Sequence, residues 1–451
     1  MKLNKILFKI YSILPTNIQK IWENIEKSDI QRRITSAAFW SLTGAVISQS
    51  LLILTSIIVA RILGLEEFGE LGIIRSTISM FSVFAGFGLG LTATKYVAEL
   101  KIKDKEKTGK IIGLTTLFAV AAGFVIAIII FVFAPFIAET TLNSPHLVDE
   151  LRLSAVILFF SAINGSLTGT LYGFESFKLI TKVTVAAGLL SFPVQIGFTL
   201  IFGLYGSLLG LGFSVFVLCV FNLIAIRKEA FKLGIIIQFK KSLTELPIIY
   251  KFSLPALFSG LMVTPTIWFC NTMLVNQPNG FAEMALFSAS NQWSSAVLFV
   301  PTVISKIALP LLSASINENQ FIRILKINVF INFVLALLIA ISIYIFSSLI
   351  MDFYGEGFQK GNTVLIILAF TNIFIAINGV IGQAIAGKDK MWMGFLLNTF
   401  WSIALVTSAY VFLLKFEYGA KGLAYAFLLS YIFHTIMVTI FTTTYLLKTK
   451  T

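Results

Sequence analysis

Two basic residues lie where a membrane-spanning helix would bury them. Arg75 and Lys306 each fall inside a long apolar run, whereas none of the 21 acidic residues falls in the middle of such a run. A buried charge is costly unless it is paired, and the planar guanidinium of arginine matches the oxygens of a phosphate. The two residues therefore predict a cationic site for an anionic ligand, with snorkelling of both side chains to lipid headgroups as the alternative.

Other polar residues inside the apolar runs are candidates for the same site. Arg61, which closes the first run, is a third basic candidate, although a position at the membrane surface is also typical of an anchor. Amide side chains hydrogen-bond sugar hydroxyls, and histidine binds a proton near neutral pH. The alternative for each of them is a hydrogen bond between neighbouring helices. These candidates are Gln49, Asn164, Asn271, Asn291, Gln292, Asn378 and His434.

Motifs for metal or covalent chemistry are missing from the sequence. Cys219 and Cys270 lie far apart in two apolar runs, and the two histidines, His146 and His434, have no metal-ligand spacing. No nucleophile elbow, phosphate-binding loop or HExxH helix occurs. We therefore predict a protein that is not an enzyme and that uses no metal and no cofactor.

The apolar runs define the fold that positions these residues. Hydrophobic residues make up 57% of the 451 residues and the mean hydropathy is +0.92, which is too apolar for a soluble protein. Since about 20 residues of helix cross a bilayer core of roughly 30 Å, we predict an all-α polytopic membrane protein with twelve transmembrane helices. The predicted spans are 37–62, 71–94, 111–134, 151–171, 183–203, 206–226, 252–275, 284–311, 327–350, 362–385, 393–414 and 420–447.

The distribution of basic residues predicts the orientation. If the spans alternate, one side of the membrane carries 28 of the 34 basic residues together with both termini. Because positive loops stay in the cytoplasm, we expect both termini to be cytoplasmic, in a cell membrane. The net charge of +13 then reflects attraction to anionic lipid and gives no support to nucleic-acid binding. Residues 1–35 have the periodicity of a cytoplasmic amphipathic helix lying on the membrane.

The sequence contains an internal repeat with an offset of about 213 residues. Phe-Gly-Glu-Leu-Gly at 68–72 corresponds to Phe-Ala-Glu-Met-Ala at 281–285, and Ala-Ile-Asn-Gly occurs at both 162–165 and 376–379. Six spans in each half make this a parallel repeat. We therefore predict an N-lobe (36–226), a basic cytoplasmic linker (227–250) and a C-lobe (251–451), with alternating access to a cavity between the lobes. Prolines at 193, 255, 265, 301 and 310 are predicted to kink their helices.

Short motifs along the chain resemble those of one transporter family. The stretch 37–110 and the motif at 173–175 are similar to polysaccharide transporters of the multidrug/oligosaccharidyl-lipid/polysaccharide exporter superfamily. The residues that carry the likeness are Phe39-Trp40, Ala60-Arg61-Ile62-Leu63-Gly64, Phe68-Gly69, Gly86-Phe87-Gly88-Leu89-Gly90 and Gly173-Phe174-Glu175.

The resemblance implies a flippase for an anionic polyprenyl-diphosphate-linked oligosaccharide, which is the repeat unit of an O-antigen, capsule or exopolysaccharide. It would move this lipid from the cytoplasmic to the outer leaflet, alongside glycosyltransferases and a polymerase of the same pathway. Two alternatives remain. One is a multidrug or cation exporter of the same superfamily, which should carry membrane-embedded carboxylates. The other is a non-transporting membrane component of glycan assembly, for which a large outer loop is expected.

Overall fold

The computed structural model describes residues 29–254, 257, 261–313, 318–388 and 390–446, and nearly all of these are helical. The predicted amphipathic segment, apart from its last residues, lies outside the described part. Eleven α-helices are described, joined by short π and 3-10 turns. They are α1 (Asp29–Gly86), α2 (Leu89–Leu100), α3 (Lys105–Phe136), α4 (Val148–Gly173), α5 (Phe177–Leu233), α6 (Thr264–Val275), α7 (Gly280–Ser313), α8 (Glu318–Asp352), α9 (Asn362–Gly387), α10 (Met391–Tyr410) and α11 (Gly419–Phe441).

The two longest helices are broken at glycines. Helix α5 has 57 residues, which at 1.5 Å per residue is roughly three times the thickness of a bilayer core. Gly203 within it and Gly64 within α1 adopt positive φ angles of 57° and 74°, which residues with a Cβ rarely adopt. Each glycine therefore breaks its helix, and α1 consists of segment α1a before Gly64 and segment α1b after it.

Eight helices of the described residues are long and apolar enough to cross a membrane. This count does not confirm the prediction of twelve spans. Two of the eight contain the breaks at Gly64 and Gly203, and the predicted second span is interrupted because Phe87 and Gly88 both have positive φ, so that α1 ends and α2 begins inside it. The coarser prediction, an all-α membrane protein, is confirmed.

The two sequence halves pack together most tightly at one end of the molecule. We call it the Gly64 end, because α1 turns there, and we call the opposite end the Lys101 end. A single apolar cluster at the Gly64 end contains residues of both halves, such as Phe68 and Leu71 of α1b and Met284 and Tyr354 of the second half. Towards the Lys101 end, separate clusters lie within the first half and within the second.

An ion pair organises the Lys101 end of the first half. The buried Lys101 Nζ donates to the carbonyl of Gly173 at 3.1 Å and lies 3.0 Å from a carboxylate oxygen of Glu175. The motif at 173–175 thus ends α4 beside α2. The predicted linker is partly helical, since α5 continues to Leu233, and its remainder lies along α3, where Gly109 leaves no room for a Cβ beside the carbonyl of Ile236.

Glu283, in the second copy of the repeated Phe-x-Glu motif, caps a helix of the second half. Its Oε2 accepts the backbone N–H of Ala420 at 2.6 Å, at the start of α11. Removing the carboxylate leaves a partly buried N–H without a partner, so we expect Glu283→Ala to lower the free energy of unfolding by about 1–2 kcal/mol. Unfolding in mixed micelles with increasing SDS measures this, with Glu356→Ala in an exposed turn as the unchanged control. Equal stability of the two variants would contradict the capping role.

Candidate functional site

A cavity of about 360 Å³ lies between the two sequence halves. Its walls come from α1a, α1b, α6 and α7, so neither half forms it alone. The break at Gly64 separates α1a from α1b, and the break after Val275 separates α6 from α7. The cavity thus lies among two pairs of consecutive segments. The lining residues are Ser56, Phe68, Leu71, Gly72, Arg75, Ser76, Ser79, Thr264, Ile267, Asn271, Met284, Phe287, Ser288, Asn291 and Gln292.

Arg75 is the only charged residue in this lining. Its side chain is largely buried, and its Nε has no hydrogen-bond partner among the described residues. No carboxylate of the described chain forms an ion pair with it either. A buried cation without a counter-charge is unfavourable, and an anion in the cavity would relieve that cost. The arrangement therefore suits a negatively charged ligand.

Uncharged donors and acceptors surround Arg75. The Nδ2 of Asn271 donates to the Oγ of Ser76 at 2.9 Å, which links α6 to α1b across the cavity. The Oδ1 of Asn271 and the Oγ of Ser56 are buried without a hydrogen-bond partner in the described part of the chain. Buried polar atoms are usually satisfied, so these atoms are available to a polar ligand. The lining can bind hydroxyl groups as well as an anion.

Two further predicted residues belong to the cavity. Asn291 is exposed within it, and Gln292, the next residue of α7, also lines it. The Nε2 of Gln292 donates to the carbonyl of Leu52 in α1a at 3.2 Å. The hydroxyl of Tyr354 donates to the Oε1 of Gln292 at 3.4 Å and accepts from the Nε1 of Trp293 at 3.2 Å. Gln292 thus contacts both halves of the molecule.

Aromatic rings and close backbone contacts seal the cavity towards the Gly64 end. Phe68 packs edge-on against Tyr354 and Phe358, with ring centroids 6.2 and 5.7 Å apart. Within the same region α1b and α7 cross at Gly69, where a Cβ would collide with the carbonyl oxygen of Phe281. Without side chains at this crossing, the two halves approach more closely than ordinary helices do.

Arg61 belongs to this seal and does not line the cavity. Its Nε donates to the carbonyl of Phe353 at 2.6 Å, at the carboxyl end of α8. A helix carboxyl end carries partial negative charge, so a cation there is favourable. Nearby, the Nδ2 of Asn143 donates to the Oδ1 of Asn276 at 2.8 Å, which joins the loop after α3 to the end of α6. Both contacts hold the two halves together at the Gly64 end.

The remaining predicted residues lie elsewhere. Asn164 donates to the carbonyl of Val215 at 2.7 Å and accepts from Asn222 at 3.0 Å, both within the first half. Asn378 and His434 are buried in the second half, outside the cavity, with no partner for their side-chain nitrogens among the described residues. Gln49 is on α1a outside the lining. Lys306 is in the part of α7 whose side chains lie outside the described residues.

Several cavity residues had no individual signal in the sequence. Ser56, Ser76 and Ser288 are small hydroxyl residues, which are common in any membrane helix. Tyr354, which packs beside the cavity, follows α8 in an irregular turn. The contact between Phe68 and Tyr354 joins residues far apart in the sequence, so the sequence pattern does not reveal it. No group of histidine, cysteine, aspartate or glutamate within the described ranges is placed to hold a metal ion.

Comparisons with known proteins identify relatives over most of the chain. The model of the family described as polysaccharide biosynthesis protein matches residues 34–316. A curated relative, the EPS I polysaccharide export inner membrane protein EpsE of Ralstonia nicotianae, is 24% identical over 404 residues, which cover 88% of this chain and 90% of the relative. The protein of the same name from Ralstonia solanacearum is 21% identical over 407 residues, with the same coverage.

Solved structures share the fold. An inward-facing multidrug resistance MATE family transporter of the MOP superfamily has a TM-score of 0.71 at 16% identity, covering 90% of this chain and 99% of its own. A eukaryotic MATE transporter has a TM-score of 0.71 at 14% identity, covering 92% and 96%. A MOP superfamily transporter from Pyrococcus furiosus, whose binding pocket is described as having reverse polarity, has a TM-score of 0.67 at 17% identity, also covering 92% and 96%. The architecture is therefore that of MOP transporters.

Proposed function

The chain belongs to the polysaccharide biosynthesis protein family, and we propose that it is a flippase for an anionic polyprenyl-diphosphate-linked oligosaccharide. The substrate is the repeat unit of an O-antigen, capsule or exopolysaccharide, moved from the cytoplasmic to the outer leaflet. Two relatives are named as polysaccharide export inner membrane proteins, which supports both the class of substrate and a location in the inner membrane. The chain acts as a transporter and catalyses no covalent step.

The observation that carries the proposal is the charge of the cavity. Arg75 faces a polar lining between the two halves, with no carboxylate among the lining residues. A diphosphate that crosses the bilayer core needs a compensating cation, because a bare anion in low dielectric is very costly. The guanidinium of Arg75 supplies that charge, while the serine and amide groups around it bind sugar hydroxyls. We assign Lys306 the first capture of the diphosphate at the Lys101 end.

The proposed topology has twelve crossings in two six-helix lobes. Separating α1 at Gly64 and α5 at Gly203 turns the eleven described helices into thirteen segments, and counting α1b with α2 as one interrupted crossing leaves twelve. The positive side of the chain is the Lys101 end, so both termini are cytoplasmic. Residues 36–226 form the N-lobe, 227–250 the linker and 251–451 the C-lobe.

Transport then proceeds by alternating access. The contacts at the Gly64 end close the cavity to the outside, so this conformation receives the substrate from the cytoplasm. Opening the Gly64 end requires α1b and α7 to separate and Arg61 to leave the carbonyl of Phe353. In that second conformation the diphosphate moves to the outer headgroups. Arg61, at this exit, is then free to contact the departing diphosphate, and the loss of the product to polymerisation draws the process forward.

The first alternative is export of a cationic drug. A cationic passenger would be expected to meet an embedded carboxylate, and Arg75 would repel it. Likeness to multidrug transporters extends to the fold alone, and the pocket of one solved MOP transporter is described as having reverse polarity, which agrees with a superfamily whose pockets differ in charge. The second alternative, a component without transport activity, would not require a polar cavity between the two halves.

Other proposed roles follow from the same site. Gln49, Asn164, Asn378 and His434 lie outside the cavity lining, and for these we favour support of the helix packing over contact with sugar or proton. Asn291 and Gln292 are the amides proposed to contact the substrate. Membrane lipid surrounds the protein, glycosyltransferases and a polymerase act before and after it, and nucleic acid, metal and cofactor have no role.

The test of this function uses purified protein in liposomes. A fluorescent oligosaccharide linked to undecaprenyl diphosphate is placed in both leaflets, and a membrane-impermeant glycosidase reports the outer fraction over time. We expect the protein to make nearly all of the lipid accessible within minutes, whereas protein-free liposomes stay near half. Accessibility no faster than in protein-free liposomes, with correctly folded protein, would exclude the flippase activity.

A further inference from the structure

Gln292 connects the cavity to the contacts that close it. On one side it lines the cavity that contains Arg75. Its Nε2 donates to the carbonyl of Leu52 in the opposite half at 3.2 Å, and its Oε1 accepts from the hydroxyl of Tyr354 at 3.4 Å. The same amide therefore contacts the ligand space, the opposite half and the aromatic seal. A ligand that engages this amide changes the contacts of both neighbours.

Tyr354 is the central side chain of the seal. It is completely buried, and its ring centroid lies 5.5 Å from that of Phe358 and 6.2 Å from that of Phe68 in α1b. Its hydroxyl is held between Gln292 and the Nε1 of Trp293, 3.2 Å away. The position of the Tyr354 ring, and with it the packing of Phe68, thus depends on hydrogen bonds made at the edge of the cavity.

We propose that Gln292 and Tyr354 form a latch that keeps the Gly64 end closed until a phosphate-bearing ligand binds beside Arg75. This rests on the proposed function and adds the coupling between substrate binding and opening. A phosphate held by Arg75 offers anionic acceptors to the Gln292 amide. Hydrogen bonds to an ionised acceptor are roughly twice as strong as neutral ones, so the amide turns from the Leu52 carbonyl to the phosphate.

Turning Gln292 has two consequences. The bond between the halves at Leu52 is lost, and the Tyr354 hydroxyl loses its acceptor, although the long distance of 3.4 Å indicates that this bond is weak. The bond from Trp293 and the ring packing then remain to hold Tyr354. In the open state the ligand accepts a hydrogen bond from the Gln292 amide, whereas in the closed state that amide donates to the carbonyl of Leu52. The ligand therefore binds the open state more tightly, and such a difference in affinity is what a ligand needs to shift a conformational equilibrium.

The experiment measures opening directly. Cys219 and Cys270 are replaced by alanine, and spin labels are attached at Glu66→Cys and Glu356→Cys, two exposed positions on opposite halves of the Gly64 end. Distances between the labels are recorded in nanodiscs with and without undecaprenyl diphosphate. We expect a short distance without the lipid and an increase in the long-distance population, at least fivefold, when it is added.

The latch variants are Gln292→Leu and Tyr354→Phe, and the matched control is Tyr344→Phe on the exposed face of α8. We expect both latch variants to populate the long distance without ligand and to respond less than twofold to undecaprenyl diphosphate, while the control behaves as the parent protein. The latch is overturned if both folded variants stay closed without ligand, or if the ligand opens them as it opens the parent protein. Transport by the parent protein is measured separately in the liposome assay. The label distances therefore test the latch, and the transport rate tests the flippase activity.

Discussion

Replacing Arg75 with glutamine is expected to lower the rate of lipid-linked oligosaccharide transport by about 30-fold or more. The substitution keeps a polar side chain of similar length but removes the only charge among the cavity-lining residues. Truncating one member of a buried charged pair typically costs roughly 2–5 kcal/mol, and each 1.4 kcal/mol is a factor of ten. The liposome assay measures the rate, and the amount of folded protein in the membrane is measured alongside it.

Two further variants test whether the effect depends on the charge and on the position of Arg75. Arg75→Lys keeps the charge but loses the planar fork, so we expect it to retain more activity than the glutamine variant. Arg152→Gln removes an arginine that pairs with Asp149 at 3.2 Å on the exposed surface, and we expect its transport to be unchanged. If Arg75→Gln transports as fast as the parent protein, the cationic cavity is not the path of the diphosphate.

Replacing Gly69 with leucine is expected to lower the rate of transport at least tenfold without unfolding the protein. A side chain at this position collides with the carbonyl of Phe281, where α1b meets α7 across the two halves. The backbones of α1b and α7 must therefore move apart at this crossing, which holds the Gly64 end open in a protein that alternates between two arrangements. We expect transport at least tenfold below the parent rate and a long distance between labels at positions 66 and 356 even without ligand.

The matched control for Gly69 is Gly382→Leu. Gly382 is an exposed helical glycine of α9 around which a Cβ meets nothing within 4 Å. The same change in size and hydrophobicity should therefore leave transport and the label distance unaltered. Normal transport by Gly69→Leu, or a closed Gly64 end in that variant, would contradict the role of this crossing in alternating access.

Arginine was informative in the sequence only when it lay well inside an apolar run. Arg75 was predicted from its position inside an apolar run, and it lines the cavity. Arg61, at the end of the preceding run, donates instead to the carbonyl of Phe353. Both have the same chemistry, and the sequence gives depth in the membrane but not the direction in which a side chain points. That direction depends on helix rotation, which is set by packing against distant segments.

For the amide side chains, too, the sequence did not show which of them point into the cavity. Gln292 and Asn291 line the cavity, while Asn164 joins α4 to α5 through Val215 and Asn222. A polar residue in a membrane helix serves either role, and the choice depends on which helix comes to lie opposite. Asn378 occupies the same place as Asn164 in the repeated tetrapeptide, yet its amide has no partner in the part of the chain that the structure describes. The repeated tetrapeptide therefore does not repeat the hydrogen bonds that Asn164 makes.

The helical, membrane-spanning fold followed from composition and run length, but the prolines predicted its breaks only in part. Pro265 does follow a turn at residues 262–263, just before α6 begins. Pro193 lies inside α5 without interrupting it, and the chain turns instead at Gly203. In α1 the turn is at Gly64, and the next break occurs at Phe87 and Gly88. A positive φ is nearly free for glycine alone, whereas the carbonyl that proline leaves unpaired can be accommodated within a membrane helix.

Charge selectivity is the most direct test of the account. The same oligosaccharide is attached to undecaprenyl diphosphate and, through an uncharged glycosidic link, to undecaprenol, and the two are compared in liposomes containing the parent protein. We predict that the diphosphate-linked lipid is moved at least tenfold faster, because only it can pair with Arg75. Equal rates for the two lipids would contradict the claim that the cavity recognises an anion.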